Sequence, residues 1–377
     1  MRVAVVSNLY PPDVLGGYEL LARDVTERLR ARGHDVDVIC AGEGTMSEGC
    51  WRVLRLSRPF GSPARRDRAR HALAAGLNAR AIAGYLRARG RPDAVLAMSQ
   101  RRLGLEPLRA FARAGAPIVA TVNDDWPVAY VPRSILDRTL GRLATWWSLD
   151  LQQVVYLSDA VRRHVKEAGA PLPDGIVQAQ GVDRLLFTPR PPRPVPRAAK
   201  LLVVGRLHPS KAPDAAIDAL AELPEATLTF AGAPVDAAYD AALRARAVER
   251  RVEDRIRWLG AVPRERLPDV YRDADVLLFP NRFEGEGQGL TYLEAMSCGV
   301  PVVAHPTGGA RDLLAGSGAA IEVEACDGPS FARGVRELVA IPDLAGALRA
   351  AAFDLLDRRA SLDAYVTCLE RELRRAR

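Results

Sequence analysis

One stretch of this chain constrains its fold more than any other: residues 275–297 combine a strand, a glycine-rich loop and a helix without interruption. An apolar run over residues 275–279 ends at Pro280, and three glycines follow, at positions 285, 287 and 289. A helical pattern begins near Thr291. Such a junction presents unpaired backbone N–H groups and the positive end of a helix dipole. We therefore predict a site for an anionic or hydroxyl-rich ligand at this junction.

Two carboxylates flank the start of this helix. Glu286 lies in the loop, and Glu294 lies about one turn inside the helix. A carboxylate can accept two hydrogen bonds from a vicinal diol, such as the two hydroxyls of a ribose. The alternative is a capping box formed by Thr291 and Glu294, which would stabilise the helix by about 0.5–2 kcal/mol without any ligand. The capping interpretation leaves Glu286 and the glycines unexplained.

The segment resembles the E-x7-E signature of glycosyltransferase family 4, whose members are retaining nucleotide-sugar transferases. Their GT-B fold consists of two facing Rossmann-like domains. A Gly-Val-Pro-Val-Val run follows at residues 299–303, and a glycine pair at Gly308 and Gly309, in the order that the family shows. Gln288 departs from the pattern, because family members usually carry an aromatic residue there.

The resemblance implies a role for each residue of the junction. Glu294 would hold the ribose diol of the donor, and Glu286 would contact a hydroxyl of the transferred sugar as a catalytic residue. The backbone around Gly289, Leu290 and Thr291 would bind the donor. These N–H groups would stabilise the charge that grows on the departing diphosphate.

The length of 377 residues allows two or three domains of ordinary size. No apolar run approaches the ~18 residues of a membrane span, which predicts a cytoplasmic protein.

The cysteines form no C-x-x-C pair and the histidines are scattered, so we expect no disulfide framework, no metal and no cofactor. Two D-x-D pairs, Asp35 with Asp37 and Asp273 with Asp275, run into apolar strands, and we expect turns there rather than Mn²⁺ sites.

The formal net charge of +7 raises the question of an anionic partner. Basic residues concentrate within residues 52–91, where Asp67 is the only acid. A solvated surface would explain this, and the alternative is contact with an anionic lipid, an acceptor or a nucleotide. The bases are nearly all arginines in an alanine-rich chain, a pattern of GC-rich genomes, so we expect no nucleic-acid partner. A peripheral contact at the inner membrane face would use the same region.

The first domain opens with a β-α-β unit. An apolar strand over residues 2–7 leads through a loop to Gly16 and Gly17, and a helical pattern then runs until Gly33. A second strand follows over residues 35–40, and no G-x-G-x-x-G dinucleotide fingerprint is present. Gly16 and Gly17 resemble the glycine turn that family 4 enzymes place against the donor diphosphate. The alternative is a turn that needs positive φ angles.

A polar cluster follows the strand predicted at residues 117–122. Asn123 and Asp124 come directly after it, where open α/β sheets place their sites. The cluster resembles the family's His-Asp-x-Trp segment, with Asn123 in the position of the histidine. An amide cannot act as a general base, so Asn123 would only hydrogen-bond the donor or acceptor, and Asp124 is the better catalytic candidate. The alternative for Asp124 is ordinary turn chemistry.

A proline-rich linker separates two domains. The preceding residues 176–189 resemble the end of the first family 4 domain, although Gln180 replaces the usual asparagine. The stiff linker is marked by prolines at positions 189, 191, 192, 194 and 196. We predict a first domain over residues 1–190, a nucleotide-sugar-binding domain over residues 197–355, and a C-terminal helix over residues 356–377 that packs back on the first domain.

The second domain opens with a strand at residues 200–204 and two cations in the loop after it. Arg206 offers a guanidinium fork and Lys211 a movable point charge, a combination that suits a diphosphate. With Gly205, they resemble the family's Gly-Arg-Leu…Lys-Gly segment, although Ala212 replaces the last glycine. The alternative is a pair of surface cations without a ligand.

The ordered set of motifs predicts an α/β protein of GT-B fold and a retaining glycosyltransferase. It would move a hexose or N-acetylhexosamine from a nucleoside diphosphate sugar, with UDP favoured, to a small-molecule, lipid or glycan acceptor without a metal. In the cleft between the domains, Arg206, Lys211, Gly16 and Gly17 would stabilise the leaving diphosphate. Two alternatives remain: a GT-B relative that epimerises or phosphorolyses nucleotide sugars, and a non-catalytic sugar-nucleotide-binding protein.

Overall fold

The computed structural model describes residues 1–14, 16–43, 48–57, 67–131, 149, 151, 153–285 and 287–377. The predicted site residue Glu286 and part of the basic region 52–91 lie outside the described residues. The chain divides into two compact units: Met1–Ala179 with Asp363–Arg377, and Gln180–Leu362. In the described ranges, no helix combines the length and the apolarity that a bilayer span needs.

A parallel sheet forms the centre of the first unit. Its described strands are β1 (Arg2–Val6), β2 (Asp35–Cys40), β3 (Cys50–Arg52), β4 (Ala94–Ala97), β5 (Ile118–Val122), β6 (Gln153–Tyr156) and β7 (Ile176–Val177). They lie in the order β3-β2-β1-β4-β5-β6-β7, with parallel pairing throughout. The central strands are runs of Val, Ile, Leu and Ala that are almost fully buried, as a sheet covered on both faces requires.

Helices cover this sheet. Those described are α1 (Gly17–Ala31), α2 (Asp67–Arg89), α3 (Glu106–Arg113) and α4 (Asp159–Glu167). The helical period predicted for α1 is observed, since Leu21, Val25 and Leu29 are each buried against the first unit. The helix ends before Gly33, whose φ of 80° lies in the left-handed region that glycine adopts easily.

The second unit contains a second parallel sheet. Its strands are β8 (Lys200–Val204), β9 (Thr227–Ala231), β10 (Ile256–Trp258), β11 (Val276–Phe279), β12 (Val302–Ala304) and β13 (Ile321–Glu322). They lie in the order β10-β9-β8-β11-β12-β13, again in parallel. Apolar runs at residues 200–204, 227–232, 256–260, 275–279 and 299–303 predict five of these strands, whereas β13 is only two residues long and carries too little pattern to be predicted.

The helices of the second unit pack around this sheet. They are α5 (Pro213–Ala221), α6 (Ala237–Glu249), α7 (Leu267–Asp273), α8 (Thr291–Ser297), α9 (Gly308–Leu314), α10 (Gly328–Ala340) and α11 (Leu344–Arg358). Helices α5 and α10 share one apolar core, in which Ile217, Phe230 and Phe331 are fully buried. The start of α8 at Thr291 agrees with the predicted start of that helix.

The last helix, α12 (Leu362–Ala376), packs from Asp363 onward on the first unit. Leu369 and Leu373 are fully buried. The Arg28 guanidinium donates to the Asp363 carboxylate at 2.7 Å, and Glu370 lies within 3.1 Å of both Arg32 and the His34 ring. Apolar burial and this ion-pair cluster together hold α12 in place.

The boundaries between the units differ from the predicted ones. The first unit ends at Ala179 rather than residue 190, and the chain returns to it at Asp363 rather than residue 356. The reason is that the segment after Ala179 is bonded to the second unit. Its Phe187 carbonyl accepts a 2.6 Å hydrogen bond from Ser297 Oγ, and Gly181 packs so closely on the Leu362 backbone that a β-carbon would lie 1.8 Å from its nitrogen. The prolines therefore follow the boundary instead of forming it.

The ion-pair cluster of α12 predicts a specific loss of stability in acid. The Arg374 guanidinium, with His34 and Arg32, lowers the pKa of Glu370 to about 2 from its ordinary value of 4.5, although burial opposes the shift. A carboxylate with a lowered pKa stabilises the folded state above its unfolded pKa, and that stabilisation is lost as the pH falls from 4.5 towards 2.

We expect Glu370→Gln to lower the free energy of unfolding at pH 7, and the difference from wild type to shrink steadily below pH 4.5. Chemical denaturation at a series of pH values measures this difference. Glu337→Gln, an exposed position on α10, serves as the control and should change stability equally little at every pH. A Glu370→Gln difference that is independent of pH would contradict the role given to this cluster.

Candidate functional site

In the second sheet, the strand order reverses between β8 and β11. From β8 the chain runs outward through β9 and β10, and it then returns to place β11 on the other side of β8. Open α/β sheets bind ligands at the carboxyl ends of strands at such a reversal. The loop after β8 carries Arg206 and Lys211, and the loop after β11 leads to Glu294. The topology therefore brings the predicted cations and the predicted acid to one place.

Direct contacts join these two loops. The Arg282 N–H donates to the Ser210 carbonyl oxygen at 2.8 Å, beside Lys211. A β-carbon on Gly205 would lie 3.9 Å from Cγ2 of Thr291, the first residue of α8. The segment that carries the cations and the start of α8 thus lie side by side, as the predicted site requires.

The two cations differ in their surroundings. Arg206 is exposed and makes no hydrogen bond or ion pair with the described residues. Lys211 is half-buried and ends a short 3-10 turn over Pro209–Lys211, where its N–H donates to the His208 carbonyl at 2.8 Å. Ala212 follows in the left-handed conformation, with φ 46°. A side chain raises the energy of that conformation by about 1–2 kcal/mol, which explains why glycine is usual at this position.

His208 lies between these cations, and the sequence did not single it out. Partial burial, with the positive charges of Arg206 and Lys211, lowers the pKa of His208 below its ordinary value, while Asp236 opposes the shift weakly. The imidazole is therefore held in its neutral form at neutral pH. Its Nδ1 accepts a hydrogen bond from the Ser210 N–H at 3.1 Å, which fixes the turn before Lys211.

Glu294 does not cap its helix. The N-cap residue of α8 is Leu290, no side chain caps the helix, and the capping-box alternative is therefore wrong. The Glu294 side chain is only 3% exposed, and its Oε2 accepts a 2.7 Å hydrogen bond from the Tyr271 hydroxyl. Burial and the Glu294 charge raise the pKa of Tyr271 well above its ordinary value, so the hydroxyl remains a donor. Helix capping therefore does not explain why an acidic residue is buried at position 294.

The loop before α8 requires its last glycine. Gly289 has φ 79°, and a β-carbon there would lie 3.1 Å from the Phe279 ring. The predicted contribution of the Gly289 and Leu290 N–H groups to donor binding stays a prediction. The role predicted for Glu286 likewise stays a prediction, since that residue is outside the described ranges.

Gln288 is a structural residue of this loop. Its Oε1 accepts from the Gln180 N–H at 3.1 Å, and its Nε2 donates to the Gln180 carbonyl at 3.4 Å. Both residues are buried. Two of the positions at which the sequence departs from the family pattern are therefore bonded to each other, and together they anchor the glycine-rich loop to the first residue of the second unit.

In the first unit, the strand order reverses between β1 and β4. Gly16 and Gly17 follow β1 and are exposed. The φ of Gly16 is −174°, which any residue can adopt, and no atom of the described residues would lie within 4 Å of a β-carbon at this position. A turn that needs positive φ therefore does not explain Gly16. The Glu19 carboxylate accepts from the Gly16 N–H at 2.9 Å and stabilises the start of α1.

Asn123 follows β5 at the same edge of this sheet. It is 6% exposed, and its Oδ1 accepts from the Tyr365 hydroxyl of α12 at 3.5 Å. Its Nδ2 is buried and has no hydrogen-bond partner among the described residues. An unpaired buried donor costs about 1–3 kcal/mol, so this amide group is a candidate for contact with a ligand.

Asp124 has the turn-forming role that was its alternative in the sequence analysis. Its Oδ1 accepts from the Trp126 N–H at 2.8 Å, and its Oδ2 lies 3.3 Å from the Arg101 guanidinium. Arg101 also pairs with Asp125. Burial raises the pKa of Asp124, while Arg101 opposes that shift. Both carboxylate oxygens thus have protein partners, and a catalytic role for Asp124 stays a prediction.

The D-x-D pairs have cationic partners. Asp35 and Asp37 both accept from the Arg89 guanidinium, at 3.1 and 3.0 Å. Asp273 pairs with Lys200 at 2.7 Å, and Asp275 pairs with Arg193 at 2.8 Å. Asp35 and Asp37 lie within strand β2, so the turn predicted for this pair is wrong, whereas Asp273 ends α7 and Asp275 directly precedes β11.

Several residues that shape the site carry no signal in the sequence. Tyr271 lies 23 positions before Glu294, and Arg101 lies 23 positions before Asp124. Arg282 donates two 2.9 Å hydrogen bonds to the Asp214 carboxylate in α5, far from it along the chain. Only the strand order could have indicated these pairs, because each partner follows or precedes a neighbouring strand.

Comparison with known proteins agrees with this architecture. The family model Glycosyltransferase Family 4 matches residues 15–184, and the model Glycosyl transferases group 1 matches residues 189–354. The crystal structure of HepE from Anabaena in complex with UDP and glucose superposes with a TM-score of 0.76 at 20% identity, over 99% of each chain. That likeness concerns the fold alone.

Two curated relatives illustrate the sequence similarity. A GDP-mannose-dependent alpha-(1-6)-phosphatidylinositol monomannoside mannosyltransferase of Mycolicibacterium smegmatis is 31% identical over 283 residues, which is 69% of each chain. A D-inositol 3-phosphate glycosyltransferase of Geodermatophilus obscurus is 33% identical over 215 residues, 52% of this chain and 47% of that one. The chain spans less than half the length of the inositol-phosphate enzymes that it matches.

Two Rossmann-like units, each with its candidate residues at the reversal of the strand order, define the GT-B class. Together with the family matches and the mannosyltransferase relative, they show that the chain belongs to glycosyltransferase family 4. The predicted fold and family are thereby confirmed.

The bond between Gln288 and the Gln180 peptide predicts the effect of removing it. Gln288→Ala leaves a buried N–H and a buried carbonyl unpaired, so we expect the free energy of unfolding to fall by about 2 kcal/mol. Gln288→Glu would bury a carboxylate with one oxygen facing the Gln180 carbonyl, so at pH 7 it should lower stability at least as much as Gln288→Ala. Chemical denaturation of the purified chain measures both.

The control for this prediction is Gln178→Ala, because among the described residues the half-buried Gln178 side chain donates only to the neighbouring Ala179 carbonyl. It should lower stability by less than about 0.5 kcal/mol. If Gln288→Ala proved as mild as Gln178→Ala, the anchoring role of Gln288 would be wrong.

Proposed function

We propose that this protein transfers a hexose or N-acetylhexosamine from a nucleoside diphosphate sugar to a small-molecule, lipid or glycan acceptor, with retention of configuration and without a metal. The observation that carries the proposal is the second unit's reversal point, where Arg206 and Lys211 lie beside the helix of the buried acid Glu294. A diphosphate needs fixed positive charge, and a ribose needs a fixed acceptor. The two kinds of group lie next to each other.

The reaction that fits these residues needs no protein base. The bond between the anomeric carbon and the diphosphate oxygen breaks, and the acceptor oxygen bonds to the same face of the sugar. The acceptor's proton passes to the departing phosphate oxygen. Arg206 and Lys211, with the N–H groups of Gly289 and Leu290, would stabilise the growing negative charge, an effect worth about 3–4 kcal/mol for one well-placed donor. Asn123 is compatible with this route because it has only to hydrogen-bond.

In the first unit, Gly16 and Gly17 are assigned to the donor diphosphate. Neither the φ angle of Gly16 nor its packing against the described residues requires a glycine, which supports the assignment. A diphosphate oxygen approaching the backbone there would explain the absence of a side chain.

The donor nucleotide is proposed to be UDP, and GDP is the competitor to test. A structure of similar fold was determined with UDP and glucose, whereas one relative is named as GDP-mannose-dependent. The relatives' names also include D-inositol 3-phosphate and phosphatidylinositol monomannoside, which makes inositol-containing molecules the first acceptors to test. Thermal shift against a panel of nucleotide sugars would separate the donors, because a ligand at 100 times its Kd stabilises the fold by about 2.7 kcal/mol.

We expect Arg206→Ala and Lys211→Ala each to lower kcat/KM for the donor at least about 100-fold, because each removes charge stabilisation from the leaving group. Glu286→Ala should lower kcat by a similar factor. Release of the nucleoside diphosphate, measured with and without an acceptor panel and with and without EDTA, provides the readout. EDTA should leave the rate unchanged.

Lys200→Ala is the matched control, since that lysine pairs with Asp273 at the opposite end of β8. Its rate should equal that of wild type. Equal turnover in all of these variants would remove the proposed site. Nucleotide release that never depends on an acceptor, or an epimerised donor, would support the epimerase or phosphorylase alternative instead, and no turnover with tight donor binding would support a binding protein.

A contact with anionic lipid is a further part of the proposal. One face of α2 exposes Leu73 at 66% and Leu77 at 37%, and the exposed residues Arg80 and Arg87 continue the same face. Exposed leucines beside arginines, without an intervening acid, suit the interface of an anionic bilayer.

We expect the protein to co-sediment with vesicles that contain an anionic phospholipid and not with neutral ones. The double variant Leu73→Ser and Leu77→Ser should weaken this binding about tenfold or more, because it removes the inserted apolar area. Leu185→Ser, which changes a leucine that is 83% exposed in the second unit, is the control and should bind as wild type does. Binding that is insensitive to the double variant would exclude α2 as the contact.

A further inference from the structure

A hydrogen bond from a neighbouring helix restricts the orientation of the Glu294 carboxylate. It sits in the first turn of α8, yet its hydrogen bond comes from the Tyr271 hydroxyl on α7, at 2.7 Å to Oε2. Both side chains are buried, Tyr271 completely and Glu294 to all but 3%. A hydrogen bond from a buried tyrosine to one carboxylate oxygen restricts the orientation of the whole carboxylate group.

Tyr271 is itself held by its surroundings. The Phe187 ring meets the Tyr271 ring edge-on, with centroids 5.9 Å apart and planes at 73°. Phe187 is fixed in turn, because its carbonyl accepts from Ser297 Oγ at 2.6 Å and the Arg264 guanidinium lies 5.7 Å from its ring centre. The tyrosine hydroxyl therefore has a single position from which to donate.

We propose that Tyr271 is a positioning residue for ribose recognition: its hydroxyl fixes the plane of the Glu294 carboxylate so that the carboxylate meets the 2′- and 3′-hydroxyls of the donor nucleoside without reorganisation. This inference rests on the proposed function, which assigns the ribose to Glu294. A carboxylate that must be ordered by its ligand binds more weakly than one that is already ordered. In this proposal Tyr271 acts through Glu294, to which its hydroxyl donates.

The test is Tyr271→Phe in the full chain, with affinities for UDP and GDP measured by titration calorimetry beside those for 2′-deoxy-UDP and 2′-deoxy-GDP. Wild type should prefer the ribose form of the nucleotide that it binds, and Glu294→Gln should abolish the preference. Tyr271→Phe should weaken binding of the ribose form about tenfold, because the ligand must then order a carboxylate that the protein no longer holds, and it should affect the 2′-deoxy form less. The ratio of the two affinities therefore collapses.

The ratio separates positioning from simple damage, because a smaller folded fraction lowers both affinities equally. Tyr239→Phe, a tyrosine of α6 with no hydrogen bond to Glu294, is the control and should keep the wild-type ratio. If Tyr271→Phe fails to fold, Phe187→Leu removes the ring that supports Tyr271 and should lower the ratio partly.

The outcomes distinguish the two hypotheses. A wild-type protein that binds ribose and 2′-deoxyribose forms equally, or a Glu294→Gln variant that keeps the preference, would overturn the ribose site of the proposed function. A normal wild type and a responsive Glu294→Gln, combined with an unchanged ratio in Tyr271→Phe and Phe187→Leu, would overturn the positioning role alone.

Discussion

The parallel pairing of β11 with β8 is the constraint on which the candidate site of the second unit depends. Val276 pairs with Leu201 and Leu277 with Leu202, so the two strands end at the same edge of the sheet. The relative positions of the candidate site residues in the second unit follow from that register. A shift of one residue would exchange the side chains of β11 between the two covered faces of the sheet, and it would also move the glycine-rich loop away from the cations. The bond from Arg282 to the Ser210 carbonyl, formed immediately beyond the strands, would be lost in the same shift.

The cationic and acidic side chains of the candidate site differ in how deeply the fold buries them. Arg206 is exposed and available to an anion, whereas Glu294 is buried and tied to Tyr271. The difference has a physical basis, because a diphosphate brings its own charge and can recruit a mobile cation, while a neutral diol is recognised only by geometry. The pKa of His208 is lowered, so its imidazole is neutral at neutral pH. It therefore adds no third positive charge beside Arg206 and Lys211.

The sequence predicts those parts of the fold and the site that are local in the chain. Five of the six strands of the second unit, the start of α8 and the period of α1 follow from hydrophobic runs, glycines and helical spacing. The predicted domain boundaries were wrong by about ten residues, because prolines indicate stiffness but not which unit a segment is bonded to. Tyr271 and Arg101 could not be predicted, since pairing between a residue and a partner across the sheet leaves no pattern along the chain.

Four positions depart from the family pattern, and the structure accounts for them unequally. Gln288 and Gln180 compensate each other through two hydrogen bonds. Ala212 adopts a strained left-handed conformation, but its methyl group is fully buried, and burial of one such group returns about 0.8 kcal/mol. Asn123 is different, because its buried Nδ2 has no partner among the described residues. For Asn123, a hydrogen bond to a ligand, and not one within the protein, would therefore have to offset the free-energy cost of the unpaired Nδ2.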